Sequence, residues 1–133
     1  MKISRTLSYA VQATLQLAQL NEERPVPCSR LAAYGKLPER FLLQILRNLV
    51  THGILSSTRG VEGGYALVRP AEKISLLEVI EAIEGPYDSP LDLGDGVNES
   101  RLRDALGEVT QMTRRQLEAI KLSQLLTPPV RRM

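Results

Sequence analysis

Apolar residues recur at intervals of three and four through the first fifty positions, give way to two short β-rich runs, and then resume the helical spacing. Leu7, Val11, Thr14, Leu15 and Ala18 set the first period and predict a helix from about Ser4 to Leu20. Asn21-Glu22-Glu23-Arg24-Pro25 ends it, because Pro25 lacks an N–H and disfavours helix in the residue before it. A second, short helix is predicted after Pro27, from about Cys28 to Tyr34, with Gly35 as the left-handed residue that closes it. A third starts near Pro38, a residue suited to a first turn, and stops at Gly53. Its buried stripe is Leu42, Ile45, Leu46 and Leu49; Arg40, Gln44, Arg47, Asn48 and Thr51 fall on the other side. Two short helices joined by about three residues, the second with a polar and basic outer face, form a helix-turn-helix pattern.

Ile54-Leu55-Ser56-Ser57-Thr58 reads as a strand, Arg59-Gly60-Val61-Glu62-Gly63-Gly64 as a turn, and Tyr65-Ala66-Leu67-Val68 as the returning strand. Glycines supply the backbone angles of a tight tip. A hairpin placed directly after such a helix is a wing, with Arg59 at its base. Ser75-Leu76-Leu77-Glu78 is a capping box, so a further helix is predicted over Leu76 to Glu84, ended by Gly85 and Pro86. Residues 85–97 hold three Gly, two Pro and three Asp and read as a loop. From about Asn98 the residues Leu102, Leu106, Val109, Thr113, Leu117 and Ile120 step by three or four. They predict a helix of about 25 residues, about 37 Å long. So small a head cannot cover so long a stripe, and these residues are expected to pair with a second copy of the chain. The expected architecture is mainly α with a small β-hairpin wing. A winged helix-turn-helix domain occupies residues 1–84, a loop 85–97, a dimerisation helix 98–126, and an irregular tail 127–133.

Composition narrows the class. The chain has 133 residues, 43% of them hydrophobic, with four Tyr, one Phe and no Trp, so its core depends on Leu, Ile, Val and Ala. No apolar run approaches the ~18 residues of a membrane span, and the first residues lack a signal-peptide pattern. A soluble, cytoplasmic protein is expected. Nine Lys/Arg face four Asp/Glu in residues 1–70, a net +5, whereas residues 71–133 hold eight and eleven, a net −3. The basic half is the one that suits a polyanion. There is no nucleophile–base pair, no carboxylate pair at catalytic spacing, no phosphate-binding glycine loop and a single histidine, His52, so no enzyme is expected. The lone Cys28 cannot form an internal disulfide or by itself hold zinc or an iron–sulphur cluster. Cys28 reads either as a small, partly buried residue or as a redox thiol activated by a helix N-terminus. Asp88, Asp92 and Asp95 lack the full calcium-loop spacing and read as a solvated loop. No metal and no cofactor are expected.

Ser8-Tyr9-Ala10-Val11, Pro25-Val26-Pro27, the run from Phe41 through Leu49, and above all Ser56-Ser57-Thr58-Arg59-Gly60 followed by Gly63-Gly64-Tyr65 carry a resemblance. Over residues 1–84 the chain resembles the Rrf-two family of dimeric bacterial winged-helix regulators. The resemblance implies that Pro38, Arg40, Phe41, Leu43, Gln44 and Arg47 enter a major groove of double-stranded DNA. It further implies that Arg59 reaches a minor groove, with Gly60 and Gly64 letting the backbone approach, and that Lys2, Ser4 and Arg5 sit near phosphates. Arg to guanine and Gln to adenine are standard pairings, and an exposed Leu43 would meet a thymine methyl. Cluster-sensing members carry three cysteines in the loop after the fourth helix; residues 85–97 here contain none. The reading is a homodimeric repressor on a pseudo-palindromic operator, without a cluster. The alternative is an effector- or partner-binding module that kept the fold and lost operator binding, against which Arg40, Gln44, Arg47 and Arg59 argue. A small-molecule effector would be accommodated between the long helix and the head, near the 85–97 loop.

Overall fold

The computed structural model of the chain describes residues 3–21, 23–87 and 97–126. Lys2, the three aspartates of the central loop and the 127–133 tail lie outside the described residues. The helices are α1 (Arg5–Leu20), α2 (Cys28–Gly35), α3 (Glu39–Thr51), α4 (Leu76–Glu84) and α5 (Val97–Ala119), with strands β1 (Leu55–Thr58) and β2 (Gly64–Leu67) between α3 and α4. Short 3₁₀ turns occupy Ala71–Lys73 and Leu122–Leu125. A mainly helical chain with a two-stranded antiparallel wing and a long C-terminal helix is the architecture the spacing predicts.

Helix α1 is the hub. Ser4 caps it, its hydroxyl accepting from the Leu7 N–H at 3.1 Å, and Asn21 ends it in the left-handed conformation. Its buried residues are Leu7, Ala10, Ala13, Thr14 and Leu17, whereas Val11, Leu15 and Ala18 of the expected stripe are only half-buried and flank it. The centre of the face is rotated because α1 packs against α2, α3 and α4, and the two fully buried alanines let those neighbours come close. Thr14 meets this burial by donating its hydroxyl to the Ala10 carbonyl at 2.6 Å.

Helix α2 departs from expectation at its end. Gly35 is its last helical residue, and Lys36 takes the left-handed position (φ 54°). A side chain on Gly35 would meet the end of the Gln16 side chain across the α1–α2 contact. Helix α3 buries Leu42, Ile45, Leu46 and Leu49 as its pattern predicts. Gly53 (φ 75°) donates to the Val50 carbonyl and Ile54 to that of Leu49, a Schellman ending that turns the chain into β1.

In the wing Leu55 faces Leu67 and Thr58 faces Gly64. A rung absent from the sequence reading steadies its other edge. Val26 and Tyr65 exchange both backbone hydrogen bonds, at 2.9 and 2.8 Å, tying the α1–α2 connector to β2. Helix α4 carries the predicted capping box in full.

Helix α5 corrects the sequence reading most. It stops at Ala119, and the chain then returns along the head: the Leu76 N–H donates to the Ile120 carbonyl at 2.8 Å, and that of Leu122 to Ile74 at 2.9 Å. Leu117, expected on a dimer stripe, is 5% exposed in the chain's own core beside the fully buried Leu122. Ile120 lies past the helix end and is half-buried. Only the earlier part of the helix presents apolar residues outward: Leu102, Val109 and Met112 are 47%, 57% and 64% exposed, with Leu106 and Thr113 half-buried among them.

Candidate nucleic-acid interface

Burying Leu42, Ile45, Leu46 and Leu49 fixes what α3 shows to solvent. At 100° per residue Arg40, Gln44 and Arg47 fall within one narrow sector opposite that stripe, and all three are exposed. Phe41 and Leu43 border the sector on its two sides. Phe41 is 67% exposed; Leu43 is half-buried, so part of its side chain stays accessible from the sector. Pro38 is exposed at the N-cap, and the Gln44 amide lies 3.4 Å from Asn48 Oδ1. His52 closes the helix with Nδ1 2.9 Å from the Asn48 carbonyl.

Charge adds to this face. Arg24, Arg69 and Arg114 each pair with a glutamate. Among the described residues the guanidinium groups of Arg5, Arg40, Arg47 and Arg59 have no such partner. Arg59 is exposed directly after β1, at the foot of the hairpin. Free cations on a helix and on the wing beside it are what a phosphate backbone with two grooves requires.

Three expected contributors are used otherwise. The exposed Ser4 hydroxyl accepts from Leu7 and donates to Glu84 Oε1 at 2.7 Å, so both hydrogen bonds are made within the chain, beside a carboxylate. A Cβ on Gly64 would strike the backbone of Val26 and Pro27, so this glycine answers an internal close approach. Gly60, in contrast, has open space around it and a positive φ of 113°, the turn requirement the sequence suggested. Cys28 sits at the start of α2, but burial and then the nearby Glu39 push its thiol pKa up, and the S–H points to the Glu39 carbonyl at 3.9 Å. This is the opposite of an activated thiol. The sequence reading missed the Ser4–Glu84 bond and the Val26–Tyr65 rung, since both join segments with no shared periodicity.

The Rrf2 family model, described as an iron-dependent transcriptional regulator, matches residues 3–128. The chain belongs to the Rrf2 family. Two Mycobacterium tuberculosis chains named for an HTH-type regulator are 43% identical over 96 residues, 72% of this Rrf2 chain and 60% of their own length. The HTH-type transcriptional regulator CymR of Bacillus subtilis is 31% identical over 119 residues, covering 85% of this chain and 86% of CymR. Among solved structures, CymR, the global cysteine regulator of B. subtilis, superimposes with a TM-score of 0.80 at 26% identity, over 94% of this chain and 95% of that one. IscR of T. potens gives a TM-score of 0.72 at 29% identity, over 94% and 85%.

The family model's iron does not suit this donor set. Iron–sulphur clusters are held chiefly by several thiolates. This Rrf2 chain has one cysteine in 133 residues, half-buried on α2 with its thiol pKa raised.

Proposed function

We infer that this Rrf2 chain is a sequence-specific, DNA-binding transcriptional repressor of the cytoplasm that works as a homodimer and senses without an iron–sulphur cluster. The observation that carries the reading is the outward face of α3 and the wing foot, where Arg40, Gln44, Arg47 and Arg59 stand exposed and the arginines unpaired among the described residues. Arg40, Gln44 and Arg47 read base edges in a major groove, flanked by Phe41 and Leu43 as apolar contacts for thymine methyl groups. Arg59 enters the adjacent minor groove, where narrow A·T-rich stretches concentrate negative potential. Arg5 and the residue two before Ser4, Lys2, meet phosphates. Leu102, Leu106, Val109, Met112 and Thr113 form the contact with a second copy, which sets two recognition helices on a pseudo-palindrome with half-sites one or more helical turns apart.

The test is selection of bound fragments from a genomic library by the purified protein, followed by affinity titration at several salt concentrations. A dyad-symmetric motif and an affinity falling steeply with salt are expected, since each phosphate contact releases a counterion. Failure to enrich any motif would instead fit a winged-helix module that has lost operator binding. An absorption spectrum after anaerobic purification checks the cluster: a stoichiometric iron–sulphur band refutes that part of the reading.

A further inference from the structure

One concavity among the described residues lies behind the wing. It encloses about 850 Å³ between the end of α1 (Leu17, Ala18), β2 and its continuation (Leu67, Val68), and the turn that follows α5 (Ser123, Leu126). Three independent features converge on it.

The first is an open backbone edge. Val68 turns its N–H toward β1, donating to the Ile54 carbonyl at 3.1 Å, whereas Tyr65 turns both its groups the other way, to Val26. Strand alternation therefore points the N–H and C=O of Leu67 to the Tyr65 side. No described group pairs with them there. The second is a weakly held cation. Arg69 also lines the groove but is occupied by Glu78 and the Lys73 carbonyl. Arg24 has only a 3.5 Å contact with Glu62 of the wing tip, with the two side chains 78% and 79% exposed. The third is an anion, Glu72, which lines the same groove and has no ion pair among the described residues.

A ladder position, one available cation, one available anion and apolar walls match the chemistry of a free short peptide. We propose that this groove binds di- and tripeptides. Their main chain pairs with Leu67 as an added strand, the α-carboxylate meets Arg24, the ammonium group meets Glu72, and apolar side chains lie against Leu17 and Leu126. The volume lies within the range of ligand sites. A bound carboxylate competes with Glu62 for Arg24 and so frees the wing tip; only this consequence for operator affinity rests on the DNA-binding reading.

The experiment titrates the ¹⁵N-labelled full chain with the dipeptide Leu-Leu into the millimolar range. Saturable amide shifts centred on Leu67 are expected. The same dipeptide acetylated and amidated is expected to bind at least roughly tenfold more weakly, as is Leu-Leu to Arg24→Gln, through loss of a charge-assisted hydrogen bond. Arg24 is on the surface, so this variant keeps the fold. Absence of saturable shifts at Leu67 with Leu-Leu and tri-leucine alike, or equal affinity for the capped peptide, overturns the proposal. Operator titration with and without dipeptide is read separately: saturation at Leu67 in a protein that binds no operator keeps the peptide site and removes the DNA-binding reading.

Discussion

At the scale of single residues, what decides a role is whether the side chain is already spent inside the fold. Arg59 is not. It is exposed at the wing foot, and its guanidinium has no partner among the described residues. Arg59→Ala is therefore expected to weaken binding to a selected operator by about 1–3 kcal/mol while shifting unfolding stability by less than about 0.5 kcal/mol, as surface changes do. Fluorescence anisotropy at physiological salt checks the first and urea denaturation the second; unchanged affinity removes Arg59 from the interface. Gly64 is the reverse case. Its missing Cβ is the space taken by the Val26–Pro27 backbone, so Gly64→Ala must push the connector off β2 and break the Val26–Tyr65 rung. We expect a loss of about 2 kcal/mol or more, in the range of steric overpacking, with a clear drop in urea midpoint. A variant as stable as the parent would show that the connector yields without cost.

At the scale of elements, α4 is the junction that holds the long helix to the head. Its Glu81 accepts two hydrogen bonds from Arg114 of α5, at 2.7 and 3.3 Å, and a third from the Tyr87 N–H at 2.8 Å. Hydrogen bonding from Arg114, more than any other cause, holds the Glu81 pKa below the ordinary glutamate range. Glu78 is also held low: burial opposes its ionisation, but Arg69 and the Ser75 cap outweigh that. For a carboxyl with a depressed folded pKa, the unfolded chain takes up protons first as pH falls. The stabilisation is complete above the unfolded value of about 4.3 and fades as pH drops through the folded one. Unfolding midpoints are thus expected to fall below about pH 4, and less steeply in Glu81→Gln; an identical slope in that variant would show that the Arg114 contact contributes nothing. The Ser75–Glu78 box, the Gly53 ending and the α3 stripe were legible because each is written within a single helix or at its end. The α1 face was not, because which of several apolar residues lies at the centre depends on three neighbours that alanines admit. Nor were Leu122 against Ile74 or Ser4 against Glu84, which join residues 48 and 80 positions apart and leave no local period.

At the scale of the whole molecule, α5 serves two surfaces with one period. Leu117 continues the spacing of Leu102 and Val109, but the chain turns back at Ala119 and draws its end into the head, so the same stripe is intramolecular at one end and open at the other. Charge divides the chain elsewhere: the net-positive 1–70 segment carries α3 and the wing foot, the acidic excess of the remainder includes the three glutamates of α4, and α5 balances four arginines against four carboxylates. Two substitutions separate the ends. Val109→Asp places a charge in the open stripe without touching the core; we expect a folded chain with unchanged circular dichroism that sediments as a monomer. Operator affinity should fall by orders of magnitude, because two half-sites are no longer bound as one unit. Leu117→Ala empties a buried site; we expect about 2–4 kcal/mol of lost stability and an unaltered oligomeric state below the unfolding transition. If instead Leu117→Ala dissociates the dimer while Val109→Asp leaves it intact, the partner grips the head rather than the exposed stripe, and the assignment of the two ends of α5 must be exchanged.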